Sequence, residues 1–181
     1  MMSEIICIPK NDINKRFLLG KKGVKEVLAI CLNPSTANEY KFDPTSKNIQ
    51  IISKNNGYDG WWIVNLYPGR TSKPANLPSK ANESLCVENI NLIREILSSK
   101  KYNISRVICC WGNNIKTHKY LLDQANQIIK IVESSGHLCE CLGLTKLGNP
   151  YHPAPMSVNR FLGGINNVKI KKLNKSSIYN V

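Results

Sequence analysis

Residues 152–161, His-Pro-Ala-Pro-Met-Ser-Val-Asn-Arg-Phe, join a titratable ring, an apolar tip at Met156 and a basic residue at Arg160. Pro153 and Pro155 fix their own φ and restrict His152 and Ala154 before them, so the loop is stiff before any partner arrives. Ser157 is placed to cap a short helix carrying Arg160, and the free N–H groups of such a helix suit a phosphate. The loop therefore looks directed at an anion, although taken alone it also reads as a Pro-rich turn ahead of a C-terminal helix. Two further polar sets follow apolar residues, Leu32-Asn33-Pro34-Ser35 and Phe42-Asp43-Pro44-Thr45. An amide there can order a water and a carboxylate can take a proton. Asn33-Pro34 is also a good turn, and Asp43 is also a good helix cap.

These groups need elements to hold them. Four apolar runs bounded by turn residues, 27–32, 61–66, 107–111 and 138–142, read as buried strands covered on both faces. A weaker pair of strands is expected at 5–8 and 17–19. Helical patterns lie between the runs. One spans 43–55 through Ile49 and Ile52 and stops at Gly57. A second is opened by Asn82 or Ser84 and carries Cys86, Ile90, Ile93 and Leu97. A third spans 115–134 with Leu121, Leu122, Ala125, Ile128, Ile129 and Val132 on one face, ended by Gly136. Strands alternating with helices predict an α/β fold, a three-layer αβα sandwich around a mainly parallel four-stranded sheet. Such sheets bind ligands beyond the carboxyl ends of their strands. The functional shortlist is then Asn33, Pro34 and Ser35; Asn65, Leu66 and Tyr67; Gly112, Asn113 and Asn114; and 143–152. Residues 68–80, with three prolines, read as a long loop on the same rim.

A length of 181 residues predicts one domain, 1–181, that buries roughly two thirds of its unfolded surface. Residues 165–181, with Lys169, Lys171, Lys172 and Lys175, read as a basic C-terminal tail. Twenty-five Lys and Arg against twelve Asp and Glu give a formal charge of +13, which favours a polyanionic partner such as nucleic acid. No apolar run is long enough to span a bilayer and the N-terminus lacks a signal-peptide layout, so the expectation is a cytoplasmic monomer without membrane contact. Seven cysteines, none in a Cys-x-x-Cys, read as buried thiols in a reducing compartment.

The 152–161 loop resembles the second signature of the uracil-DNA glycosylase superfamily, His-Pro-Ser-Pro-Leu-Ser followed by a helix with an early Arg. Asn33-Pro34-Ser35 resembles its first signature in the mismatch-specific thymine/uracil branch, Ile-Asn-Pro-Gly. Leu-Asn-Pro-Ser-Thr-Ala, Asp-Pro-Thr, Val-Asn-Leu, Arg-Thr, Trp-Gly and His-Pro, in that order, also resemble a family of small proteins known as DUF1643. That likeness runs over about 28–161. The family is here taken as a divergent branch of the glycosylase superfamily.

The resemblance places Asn33 and His152 in a catalytic set, and because the classical uracil-specific branch has an Asp where Asn33 stands, Asp43 is expected to supply that negative charge. Cleaving an N-glycosidic bond passes through an oxocarbenium-like sugar, which calls for a polar or negative group at the anomeric carbon and a donor for the leaving base. Asn33 would position the water, Asp43 would stabilise the cation or act as base, and His152 would stabilise the departing base. Substrate contacts fall on Pro34, Ser35, Asn65, Tyr67 and Trp111, with Asn65 reading a pyrimidine's pairing edge and Tyr67 or Trp111 stacking on the ring. Trp111 also reads as core. DNA contacts fall on Arg70, Met156 as a wedge, Ser157 and Arg160. Ala154 replaces the family's Ser and lacks a hydroxyl for phosphate. The four-Cys spacings of iron–sulfur glycosylases are absent, so no metal and no cofactor is expected. No Lys sits in a signature, so a monofunctional DNA glycosylase is expected, acting on a modified or mispaired pyrimidine, including a hypermodified base of phage DNA in an antiviral role. The alternatives are a non-catalytic nucleic-acid binder and a nucleoside or nucleotide N-glycosidase.

Overall fold

The computed structural model describes residues 4–173. Strands β1 (Ile5–Ile8), β2 (Leu18–Lys21), β3 (Glu26–Cys31), β4 (Gly60–Asn65), β5 (Ile104–Cys109), β6 (Cys139–Cys141) and β7 (Lys171–Lys172) form one seven-stranded sheet in the order β1-β2-β4-β3-β5-β6-β7. The four strands read from the apolar runs are the parallel centre, β4-β3-β5-β6. The expected sheet of four strands is thus extended. The early pair β1 and β2 continues it antiparallel beside β4, and β7 adds an antiparallel edge beside β6.

Side chains alternate across the central strands, as the period of two demands. Leu28, Ile30, Trp62, Val64, Val107 and Cys109 face one layer, which contains helices α2 (Glu83–Ser98) and α3 (Lys119–Ser134). Val27, Ala29, Trp61, Ile63, Ile108 and Cys110 face the other, which contains α1 (Pro44–Asn55) and α4 (Pro155–Arg160). Trp61 and Trp62 are both core. No helix among the described residues is long and apolar enough to cross a membrane.

Local signals set the helix ends. Asp43 caps α1 by accepting from Ser46 N–H at 2.8 Å, with Pro44 at the first helical position, and Asn82 caps α2 by accepting from Leu85 N–H at 3.1 Å. The third helical pattern is broken in two: a 3₁₀ turn (Asn113–Thr117), an extended His118, then α3. Within that turn Thr117 Oγ1 donates to Asn114 O at 2.8 Å, a local bond that competes with continuation into the helix.

The segment expected as a tail packs on the fold as far as it is described. Asn56 donates to Val168 O and accepts from Ile170 N–H, Val168 is buried, and Lys171 and Lys172 pair with β6. Lys175 and the rest of 174–181 lie outside the described residues.

Candidate functional site

In the parallel centre, the chain leaves β3 toward β4 on one side and later reaches β5 on the other, so β3 and β5 bound a topological switch point. A cleft of about 470 Å³ opens there. Asn33 and Ser35 line it after β3, Asn65 at the end of β4, and Trp111, Gly112 and Asn113 after β5. Thr145, Tyr151 and His152 line it after β6, and Asp43 and Met156 from the starts of α1 and α4. Sequence positions far apart therefore converge on one rim.

Each candidate is held by a definite contact. Asn33 Nδ2 donates to Pro34 O at 3.0 Å and Thr71 O at 2.8 Å, which consumes its donor side. Asn65 is 1 % exposed, and neither its Nδ2 nor its Oδ1 has a partner. Its backbone carbonyl is fixed by Asn89 Nδ2 at 2.8 Å from α2, so the side chain is anchored while its amide is left open. Trp111 is core, as one of its two readings has it, and also forms part of the cleft wall. Asp43 also does two things: Oδ1 accepts from Ser46 N–H and Oγ–H, and the residue lines the cleft.

The His152 loop is braced from three sides. Asn48 Nδ2 on α1 donates to Pro153 O at 2.9 Å, Gly112 N–H donates to Pro150 O at 2.9 Å, and Tyr151 stacks on Phe161 with centroids 5.5 Å apart. Gly112 has φ +71, and a Cβ there would lie 3.1 Å from His152 Cβ, so glycine lets the β5 end approach the histidine. Burial drives the His152 pKa down to about 4, against a smaller opposing pull from Asp43. The imidazole is neutral at neutral pH and can donate one N–H. Burial likewise lifts the Cys31 thiol to about 12, so it is no nucleophile.

Several expected site residues stand elsewhere. Tyr67 is core, 3 % exposed, packed on Tyr120 and accepting from Asn82 N–H, so it does not face the cleft. Arg70 is committed to protein carbonyls, donating Nη1 to Ser35 O and Ala37 O and Nε to Lys15 O. Its guanidinium joins three loops instead of standing free for phosphate. Ser157 does not cap α4, because the prolines start the helix earlier and Ala154 is the cap; Ser157 lies inside the helix and lines the cleft. Pro34 is buried beneath the loop, its carbonyl accepting from Asn33 and Thr71 N–H. Arg160 is exposed beside the cleft-lining Phe161.

Three contributors lie outside the residues that the sequence singles out: Arg16 on the cleft wall, and Asn48 and Asn89, which brace the His152 loop and the Asn65 backbone. Within the 143–152 stretch, Leu147 is 60 % exposed at the tip of a tight turn in which Gly148 N–H donates to Thr145 O, as the glycine allows.

No curated protein and no solved structure matches the chain. A family model described as "Protein of unknown function (DUF1643)" matches residues 16–154, which takes in β2 through His152 and every lining residue of the cleft except Met156, Ser157 and Phe161. The chain belongs to the DUF1643 family.

Proposed function

We propose that this protein is a monofunctional DNA glycosylase that draws a modified or mispaired pyrimidine into the cleft and hydrolyses its N-glycosidic bond, leaving an abasic site. Asn65 carries the proposal. A buried amide with an open donor and an open acceptor costs stability unless a ligand satisfies both, and the pairing edge of a base offers the complementary pair. Trp111, also on the cleft wall, would supply a ring face for the base. The cleft volume is in the range that holds drug-sized ligands, which suits a base bearing a substituent.

The surroundings support a DNA partner. Lys41, Lys47, Lys73, Lys116, Lys146 and Arg160 are exposed, each within two positions of a cleft-lining residue, which forms a cationic rim for phosphates. Met156 (62 % exposed) and Leu147 are apolar tips suited to the gap that an extruded base leaves. In the reaction, a water held by the free Oδ1 of Asn33 bonds to the anomeric carbon as the carbon–nitrogen bond breaks. The bonding pair leaves with the base, the neutral His152 donates a hydrogen bond to it, and Asp43 stabilises the sugar cation and takes the water's proton.

The test is incubation with duplexes and phage DNA bearing candidate pyrimidines, scored for abasic sites by alkaline cleavage. Strand breaks that disappear in Asn33→Ala, Asp43→Ala and His152→Ala are expected. DNA binding without abasic product on any substrate would identify a non-catalytic binder, and release of base from free nucleosides alone would identify a nucleoside hydrolase.

A further inference from the structure

Arg16 stands two residues before β2, and its N–H donates to Pro68 O at 3.0 Å, which puts it beside the carboxyl end of β4. It is 3 % exposed and lines the cleft with Asp43 and Asn65. A buried guanidinium ordinarily has a carboxylate partner. Arg16 has none within 4.0 Å among the described residues. Its one side-chain hydrogen bond is from Nη1 to Ala37 O at 2.9 Å, and its Nε is buried without a partner.

The surroundings add positive charge. Arg70 Nη1 donates to the same Ala37 carbonyl at 2.9 Å, so two guanidinium groups converge on one neutral oxygen. Asp43 is close enough to favour the charged form of Arg16, yet its Oδ1 is taken by Ser46. Glu39, whose charge acts on the Cys7 thiol, makes no ion pair with either guanidinium within 4.0 Å, and both its carboxylate oxygens are buried without a hydrogen-bond partner. Burial, then repulsion from Arg70, lower the Arg16 pKa to about 10, which still leaves it charged at neutral pH. A buried cation kept without an ion pair on the wall of an open cleft calls for a negative group that arrives with a ligand.

We infer that Arg16 receives an oxyanion of the substrate, either a phosphate of the extruded nucleotide or an acidic substituent on its base. This rests on the reading of the cleft as a base-binding site and narrows it to a substrate that brings negative charge inside.

Calorimetric titration of the full chain distinguishes the sources. One arm compares 2′-deoxyuridine with its 3′- and 5′-monophosphates, and the other compares uracil with 5-carboxyuracil. In at least one arm the anion is expected to bind about tenfold or more tightly than its neutral counterpart, and the arm identifies the source. That preference should vanish in Arg16→Met and survive in part in Arg16→Lys. Arg16→Met leaves the Ala37 carbonyl satisfied by Arg70 and should melt no lower than the wild type, whereas a merely structural Arg16 would lower the melting temperature of this variant. Equal binding of charged and neutral probes, no binding of any probe, or a preference unchanged in Arg16→Met overturns the inference. Base release from DNA is read separately. An active glycosylase without anion preference removes the role of Arg16 alone, and anion preference without base release removes the reaction alone.

Discussion

Asn48 donates from Nδ2 to the carbonyl of Pro153 at 2.9 Å, joining the helix capped by Asp43 to the loop that carries His152. This bond makes Asp43 and His152 two sides of one cleft, although they are more than a hundred positions apart. Pro153 is buried, so its carbonyl loses its partner in Asn48→Ala. Urea unfolding should show a loss of about 1–3 kcal/mol. Base release should fall as well, because the loop is no longer held to α1.

Asn65→Leu should separate stability from function. The substitution removes two unpartnered buried polar atoms at similar volume and leaves the Asn89 bond to the backbone carbonyl intact. The melting temperature is expected to stay level or rise, while base release falls by about 10- to 100-fold, the worth of one or two lost hydrogen bonds. A melting temperature that drops by several degrees would mean that the amide supports the fold.

Gly112→Ala should damage the site through the backbone. The residue sits at φ +71, and the new methyl would meet His152 Cβ at 3.1 Å. A destabilisation of at least about 1 kcal/mol is expected from the backbone alone. Activity should fall further than that loss explains, because the methyl displaces the histidine. Denaturant titration and base release, measured on the same preparation, check both.

The pKa of His152 predicts a dependence of stability on pH. Burial lowers it from 6.5 to about 4 in the folded chain. Between those values the unfolded chain binds a proton that the folded chain refuses. The contribution is therefore fully present above pH 6.5, declines as pH falls, and is lost by about pH 4, amounting to about 3 kcal/mol at most. His152→Gln should flatten the difference in unfolding free energy over this window. A wild type and variant that run parallel from pH 7 to 4 would place the imidazole in solvent.

The thiols should be silent in the native state. The seven cysteines form no disulfide and all are buried. Burial raises the pKa of Cys7, Cys31, Cys86, Cys110 and Cys141, and a hydrogen bond with Cys139, then burial, raises that of Cys109. A colorimetric thiol titration is expected to detect fewer than one in native buffer and seven in guanidinium chloride.

Much of this architecture is legible in the chain because its signals are local. Apolar runs bounded by turn residues mark the four parallel strands, Asp43-Pro44 marks the start of α1, and Asn82 marks the start of α2. The rule that ligands bind at carboxyl strand ends selects Asn33, Asn65, Gly112, Asn113 and His152 without any coordinates. What depends on distant partners is not legible in this way. The same types of side chain diverge once their neighbours are known: Arg70 is consumed by three carbonyls, whereas Arg16 has one carbonyl and a buried Nε without a partner. Tyr67 turns inward because Tyr120, 53 positions later on α3, covers it. The periodicity of the chain determined which segments become strands and helices and which ends hold polar residues. Only the tertiary structure decided which of those polar groups have their hydrogen bonds met by the protein and which are left without a partner, because that depends on contacts between residues far apart in sequence.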